Sequence, residues 1–222
     1  TPPANPYLDP EDNPYTEITY DKAGNKIRER DANGVVVEYT YTDRNWLHQV
    51  IDAKGRVQTE YKYDKKGNQI EIKDALGRKV QKEYDSLGRL RKVIDSLNNV
   101  EEYSYDAVGN KTAVTDARKN TTYICYNSLG WRTGIRDALG NFTQYRYDPN
   151  GNLVETIAPN GLSTQIRYDE LNRVIENIDS LGHSTRYGYD LVGNQRWMQD
   201  RRGTEWNYQY YDNNLLRRME AT

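Results

Sequence analysis

Tyr20-Asp21-Lys22-Ala23-Gly24-Asn25 returns down the chain as Tyr63-Asp64-Lys65-Lys66-Gly67-Asn68 and as Tyr105-Asp106-Ala107-Val108-Gly109-Asn110, and again from Tyr147 and Tyr189. Followed by its tyrosine alone, the motif marks Tyr20, Tyr41, Tyr63, Tyr84, Tyr105, Tyr126, Tyr147, Tyr168, Tyr189 and Tyr210. The interval is 21 residues throughout, except for 22 between Tyr41 and Tyr63. A fixed period of this length means a repeat architecture, in which each unit buries its apolar surface only against its neighbours. The period also changes the search for function, because a residue present in every repeat is there first to build the repeat.

Each repeat holds two turn signals. The first is Tyr-Asp-x-x-Gly; the second, Asp-x-x-Gly, starts eleven residues after the tyrosine, as at Asp31, Asp52, Asp74, Asp137, Asp179 and Asp200. Asp at the first turn position accepts hydrogen bonds from nearby backbone amides, and Gly at the fourth adopts positive φ without a steric penalty. A type I turn followed by such a residue is a common tight hairpin connection. Only Gly134 and Gly188 of the 16 glycines fall outside these positions. Asn45, Asn98, Asn172 and Asn214 stand where Gly is expected, and Asn tolerates left-handed geometry best after Gly. Lys119 does not share that tolerance, and a locally altered turn using Asn120 is expected there.

Between turns the pattern has period two. Two residues before the key tyrosine come Ile18, Tyr39, Tyr61, Tyr103, Ile124, Tyr145, Ile166, Tyr187 and Tyr208, with Lys82 the exception, while Glu17, Glu38 and Glu60 lie between. That alternation predicts a strand with one apolar face. A second strand carries Val50, Ile72, Val93, Val114, Ile135 and Met198 nine residues past the tyrosine. Its facing is less regular, because Arg91, Thr112 and Arg196 stand two residues earlier. The expected fold is all-β: tandem hairpins of about five to seven residues per strand, forming a continuous antiparallel meander. About twenty strands at ~4.8 Å would span ~96 Å if flat, and strand twist makes so wide a sheet curl. Residues 1–15, with Pro2, Pro3, Pro6, Pro10 and Pro14, read as a lead-in segment, and residues 16–222 as ten repeats, the last incomplete. Both ends of the sheet, near Thr16 and Met219, are expected to be open edges.

Bulk composition agrees with a thin sheet. Hydrophobic residues make up 36% of the chain, mean hydropathy is −1.03, and 20 Tyr against 1 Phe replace a thick core with rings that keep one wet or hydrogen-bonded tip. The net charge of −2 comes from interspersed acids and bases, which argues against nucleic acid and against a polybasic membrane patch. No apolar run approaches the roughly 20 residues of a membrane helix, and no signal-peptide pattern opens the sequence. Cys125 is the single cysteine, so no internal disulfide forms.

Candidate chemistry is sparse. His48 and His183 lack the Cys or carboxylate spacing of a metal site and read as structural. The regular carboxylates, such as Asp21 and Asp31, are turn residues in every copy, and the Gly-Gly-x-Gly-x-Asp pattern of calcium-binding β-solenoids is absent. Cys125 lies on the polar side of its strand without a catalytic His and reads as an incidental, accessible thiol. Trp46, Trp131, Trp197 and Trp206 suit a sugar-stacking ladder, but cross-strand packing is the simpler role. Neither a phosphate loop nor a Gly-x-Ser-x-Gly elbow occurs. No catalytic, cofactor-binding or metal-binding residue is assigned, no cofactor is expected, and the chain reads as a non-enzyme.

A Tyr-Asp repeat of this length, with Gly-Asn or Gly-Arg after the turn and ten copies in phase over about residues 16–222, resembles the YD or RHS repeat family. Asp74-Ala75-Leu76-Gly77-Arg78 followed by Tyr84-Asp85-Ser86-Leu87-Gly88-Arg89 is similar to its bacterial branch more than to its animal one. The resemblance implies a β-ribbon coiled into a hollow spiral shell. In bacterial RHS effectors and toxin-complex components such a shell surrounds a toxic C-terminal polypeptide; in animal teneurins it belongs to a cell-surface adhesion receptor. The 222 residues contain neither a variable toxin module nor the closing segment at which family members cut themselves. Tyr147-Asp148-Pro149-Asn150-Gly151 has a superficial likeness to that segment, yet it is in phase with its neighbours and is followed by Ala158-Pro159. It reads as an ordinary turn. The implied partners are neighbouring RHS repeats and an encapsulated toxin, with no nucleic acid and no membrane span, and the implied location is the bacterial cell surface or outside. The alternative is an extracellular adhesion or carbohydrate-binding module recognising a glycan or a cell-surface protein.

Overall fold

Turn signals every ten or eleven residues leave room only for short strands, and short strands are what form. A computed structural model describes residues 15–222; the lead-in expected at 1–15 lies, apart from Tyr15, outside the described residues. The chain divides into two units, the first ending at Tyr103 and the second running Ser104–Thr222. The first contains β1 (Glu17–Tyr20), β2 (Lys26–Arg30), β3 (Val36–Tyr41), β4 (Leu47–Ile51), β5 (Val57–Tyr63), β6 (Gln69–Asp74), β7 (Lys79–Tyr84), β8 (Leu90–Ile94) and most of β9 (Val100–Tyr105). The second contains β10 (Lys111–Thr115), β11 (Thr121–Tyr126), β12 (Arg132–Arg136), β13 (Phe142–Tyr147), β14 (Leu153–Ile157), β15 (Ser163–Tyr168), β16 (Val174–Ile178), β17 (Ser184–Tyr189), β18 (Gln195–Gln199), β19 (Glu205–Tyr210) and β20 (Leu216–Ala221). Within each unit consecutive strands pair antiparallel. Among the described residues there is no helix.

The turns follow one design. The Asp21 N–H donates to the Asn25 carbonyl (2.9 Å) and the Gly24 N–H returns to the Asp21 carbonyl (3.1 Å), the pattern of a type I turn closed by a left-handed residue. The Asp21 carboxylate accepts from the Ala23 N–H (2.8 Å), the Asn25 N–H (2.9 Å) and the Asn25 side-chain amide (2.8 Å). Asn45, Asn98, Asn172 and Asn214 take positive φ where they replace Gly, as expected. Lys119 corrects the sequence reading: it adopts φ 68 itself, and Asn120 is not recruited to replace it. The strain of a left-handed lysine is about 1–2 kcal/mol. Asp116 offsets it by accepting from the Arg118 N–H, the Asn120 N–H and the Asn120 side chain.

Two irregularities of the sequence have structural causes. The single 22-residue interval is absorbed in β5, where the register passes from Val50↔Thr59 to Ile51↔Val57 and leaves Gln58 as a bulge. The Gln58 side chain reaches back to the Asp52 carboxylate at 2.9 Å. The uneven facing of the second strand arises from a register shift beside the key tyrosine, as between Arg146 and Tyr147, where Tyr147 pairs with Leu153 and Arg146 with Glu155. The skipped residue is the one seven past the preceding tyrosine, the same position as Arg91, Thr112 and Arg196, so its side chain is released from strict alternation.

Among the described residues no second layer covers either face. None of the hydrophobic side chains among the described residues is fully buried, and cohesion comes from cross-strand columns such as Tyr39↔Val50↔Thr59, each pair worth about 0.2–1 kcal/mol. The opposite face is not purely polar, as the alternation suggested. Ile51, Ile94, Ile157 and Ile178 lie on it beside the second turns, Ile94 directly opposite Val100.

Candidate functional site

The residue that defines the period is also the one that joins the repeats. The Tyr168 hydroxyl donates to the Leu153 carbonyl (3.0 Å), Tyr126 to Lys111 (3.1 Å), Tyr147 to Arg132 (2.8 Å), Tyr189 to Val174 (2.8 Å) and Tyr210 to Gln195 (2.9 Å). In the first unit Tyr41, Tyr63 and Tyr84 do the same to Lys26, Leu47 and Gln69. Each acceptor is the first residue of a strand in the preceding repeat, where the ladder would leave a carbonyl open. Burial pushes the Tyr168 hydroxyl pKa up, which keeps it a donor. This explains Tyr in place of Phe. Tyr168→Phe should lower stability by about 1 kcal/mol, the net worth of one hydrogen bond, and Tyr84→Phe, four repeats earlier in the sequence and bonded to a different carbonyl, should add independently. Urea melts of both single variants and the double would show it; no loss in the double would refute the role of the hydroxyl.

The polar face carries paired charges at a repeating position. Glu71 meets Lys62 (3.0 Å), Glu155 meets Arg146 (2.8 Å), and Glu176 sits between Arg167 (2.9 Å) and Arg186 (2.8 Å). The Glu176 side chain is only 9% exposed, and its hydrogen bond from Arg186, with the nearby Arg167 charge, holds its carboxyl below the usual range. A carboxylate fixed between two guanidiniums is poorly placed to move a proton at neutral pH.

Each residue weighed for chemistry has a structural neighbour. His48 Nδ1 lies 3.3 Å from the Tyr61 carbonyl, and His183 Nδ1 lies 3.1 Å from the carboxylate of its own turn residue Asp179. Cys125 is exposed and faces Gly134 across the ladder. The 148–151 stretch forms the same turn as its neighbours, with the Gly151 N–H on the Asp148 carbonyl at 3.1 Å. Among the described residues no group of three or more His, Cys, Asp or Glu gathers as a metal site would require. Open hollows of about 440, 600 and 670 Å³ occur beside Tyr63, Tyr210 and Tyr168. They recur at one phase of the repeat, so they belong to its relief.

Two kinds of contact were missed in the sequence. Trp46 and Trp131 lie on the glycine of the next repeat's turn: a Cβ at Gly67 or Gly151 would meet the ring at 2.8 Å. The two glycines outside the turns are likewise covered by rings, Gly134 by Phe142 and Gly188 by Trp197. Asparagines link successive turns: Asn25 donates to Asn45 (3.0 Å), Asn152 to Asn172 (2.7 Å) and Asn194 to Asn214 (3.0 Å). Asn replaces Gly at those three turns as an acceptor, besides tolerating the backbone; the signal was a Gly-Asn pair followed twenty residues later by an Asn.

The sequence model of the RHS repeat matches residues 20–57, 63–100, 84–121 and 126–164, more than half of the chain. No curated protein sequence matches. Among solved structures the fold is similar to the crystal structure of TcdB2-TccC3-TEV, at 16% identity and a TM-score of 0.66, over 92% of this chain and 14% of that one. The Tc holotoxin pore of Photorhabdus luminescens is similar at 17% identity and a TM-score of 0.62, over 90% of this chain and 13% of that one. The crystal structure of TcdB2-TccC3 is similar at 16% identity and a TM-score of 0.60, over 91% of this chain and 14% of that one. This chain therefore spans a small part of the length of each of those proteins.

Proposed function

We propose, since this chain belongs to the RHS repeat family, that it is a stretch of non-catalytic shell wall which, in a longer exported protein, encloses a toxin polypeptide. The observation that carries the reading is where the periodic polar groups are spent. Turn carboxylates such as Asp106 bind their own backbone amides and the following Asn, and key tyrosines bind the preceding repeat. Side chains committed in this way build extended surface. The fold shared with Tc complex proteins supports a structural role of the same kind.

The test is protease protection in the full-length protein that carries this chain. Digests of the native protein should leave intact a segment outside the repeats that becomes cleavable once denaturant opens the ribbon. Cleavage of that protein without any protected segment would overturn enclosure. Saturable binding of the chain to a glycan array would replace enclosure by the adhesive reading.

A further inference from the structure

One stretch of the polar face departs from the repeat at several positions together. In β13–β14 and β15–β16 the central cross-strand pair of this face is an arginine with a glutamate, Arg146 with Glu155 and Arg167 with Glu176. In β11–β12 the same pair is Cys125 with Gly134. Tyr123 stands where the next two repeats have Gln144 and Gln165, and Arg136 where they have Ile157 and Ile178. Phe142 replaces Ser163 and Ser184. A residue that recurs in every copy builds the copy, whereas departures gathered on three adjacent strands answer to something else. Phe142 fills the space above Gly134, which accounts for those two and leaves Tyr123 and Arg136 without a structural task.

The register sets Tyr123, Arg136 and Phe142 side by side in one row across β11, β12 and β13. The Arg136 guanidinium lies over the Phe142 ring, 5.7 Å from its centroid. The Tyr123 side chain is 53% exposed, and its other neighbour in the row is only Ala113. Among the described residues no carboxylate pairs with Arg136, whereas Arg146, Arg167 and Arg186 on the same face each hold a glutamate. A guanidinium stacked by its face keeps its N–H edge for a carboxylate. One accessible cation between two rings therefore suits a single negative charge that has an apolar neighbour. A phosphate dianion would call for a second cation, and the residue after Arg136 is Asp137.

We propose that Tyr123, Arg136 and Phe142 form a docking site for an acidic segment of a partner polypeptide. A glutamate or aspartate of that segment pairs with Arg136 while its apolar neighbour packs on the two rings. Charge complementarity selects the occupant, because Arg136 is a strand arginine of this face that lacks its own carboxylate. The site is a property of three strands and holds whether or not the wall encloses a cargo, so its failure and the failure of enclosure are separate results. A contact this small is weak alone and adds to whatever else the partner touches. Cys125, exposed on the same face and two residues from Tyr123, lies at its margin as a natural anchor for a probe.

Disulfide tethering on the whole chain tests it. The Cys125 thiolate exchanges with the oxidised dimer of acetyl-Cys-Ala-Glu-Phe-amide, forming one mixed disulfide and releasing one reduced peptide. At a fixed ratio of oxidised to reduced peptide, the yield of mixed disulfide by mass spectrometry reads the contact beside the anchor. The exchange constant should exceed that of the matching Gln peptide by about fivefold at low salt, and the preference should shrink as salt is added. Arg136→Ile and Tyr123→Gln restore the residues of the neighbouring repeats, so both variants should keep their strand content and melting temperature. Arg136→Ile should abolish the preference for Glu over Gln, and Tyr123→Gln should reduce the advantage of the Phe peptide over its Ala counterpart. Equal capture of the Glu and Gln peptides by the wild-type chain, or an undiminished preference in Arg136→Ile, would overturn the proposal. Stronger capture of a phosphoserine peptide than of the Glu peptide would overturn the carboxylate assignment in favour of a phosphorylated partner.

Discussion

Acidification from pH 5 to pH 2.5 should collapse the stability of this chain, with most of the loss below pH 4. Turn aspartates in both units have carboxyl pKa values held below the ordinary 3.8, in Asp21, Asp64, Asp106 and Asp148 foremost by the side-chain amide of the asparagine four residues on. Asp52 is lowered to about 2, first by the Arg56 side chain and then by the Arg56 backbone amide. A folded-state pKa below the unfolded one means that the unfolded chain binds more protons between the two values. Stability from these groups is therefore complete above about pH 4 and is lost as pH falls through the folded values toward about 2. The glutamate ladder acts in the same direction, because Glu71 and Glu176 are also lowered, by Lys62 and Arg186 first. Each turn carboxylate is partly exposed and individually weak, but the repeat multiplies it, and protonation removes the acceptor that closes the turn. Thermal melts by circular dichroism between pH 2 and 7 would measure it. Asp106→Asn and Asp148→Asn should flatten the profile while keeping the turn, since Asn127 already fills this role, accepting from the Leu129 and Trp131 amides at 3.0 and 2.9 Å. A melting temperature unchanged between pH 5 and 2.5 would show that the turn carboxylates do not sustain the fold.

What could be read in advance is what local chemistry decides. Asp at the first turn position and Gly at the fourth constrain five residues without reference to the rest of the chain, so turns, period and strand count were legible. The residues that resisted reading depend on particular partners that a period-two pattern does not reveal. Lys119 looked like a defect because lysine disfavours left-handed backbone; three hydrogen bonds to the Asp116 carboxylate outweigh that preference. Gly134 and Gly188 looked unplaced because their role is to lie beneath Phe142 and Trp197. The residue seven past each tyrosine confused the alternation because a register shift, invisible to a period-two reading, frees it from one face. For the chemistry, the isolated positions of His48, His183 and Cys125 were apparent in the sequence, whereas the linkage of tyrosine hydroxyl to strand-start carbonyl was not. It joins residues 15 apart whose proximity follows only from the register.

Gly67→Ala and Gly151→Ala should destabilise the chain more than Gly109→Ala, although all three glycines occupy the same turn position. Each takes a strongly positive φ, 91, 91 and 102 respectively, so the backbone penalty of about 1–2 kcal/mol applies to all. What differs is the space above them. A Cβ at Gly109 meets nothing within 4 Å, whereas at Gly67 and Gly151 it would stand 2.8 Å from a ring carbon of Trp46 or Trp131. Those rings also pack on the neighbouring tyrosines, Trp46 with Tyr63 at 5.3 Å and Trp131 with Tyr147 at 5.5 Å between centroids. Displacing the indole therefore loses that ring pair, about 0.5–1.5 kcal/mol beyond the buried area, and returns an apolar ring to water. The expected totals are about 1–2 kcal/mol at Gly109 and roughly 3 kcal/mol at Gly67 or Gly151. Trp46→Leu should remove most of the excess at Gly67, because the coupling between the two positions is the contact itself. Urea melts of the three alanine variants, with tryptophan emission followed for the displaced ring, would decide it. Equal losses at all three sites would mean that Trp46 and Trp131 merely cover the turns without holding successive repeats together.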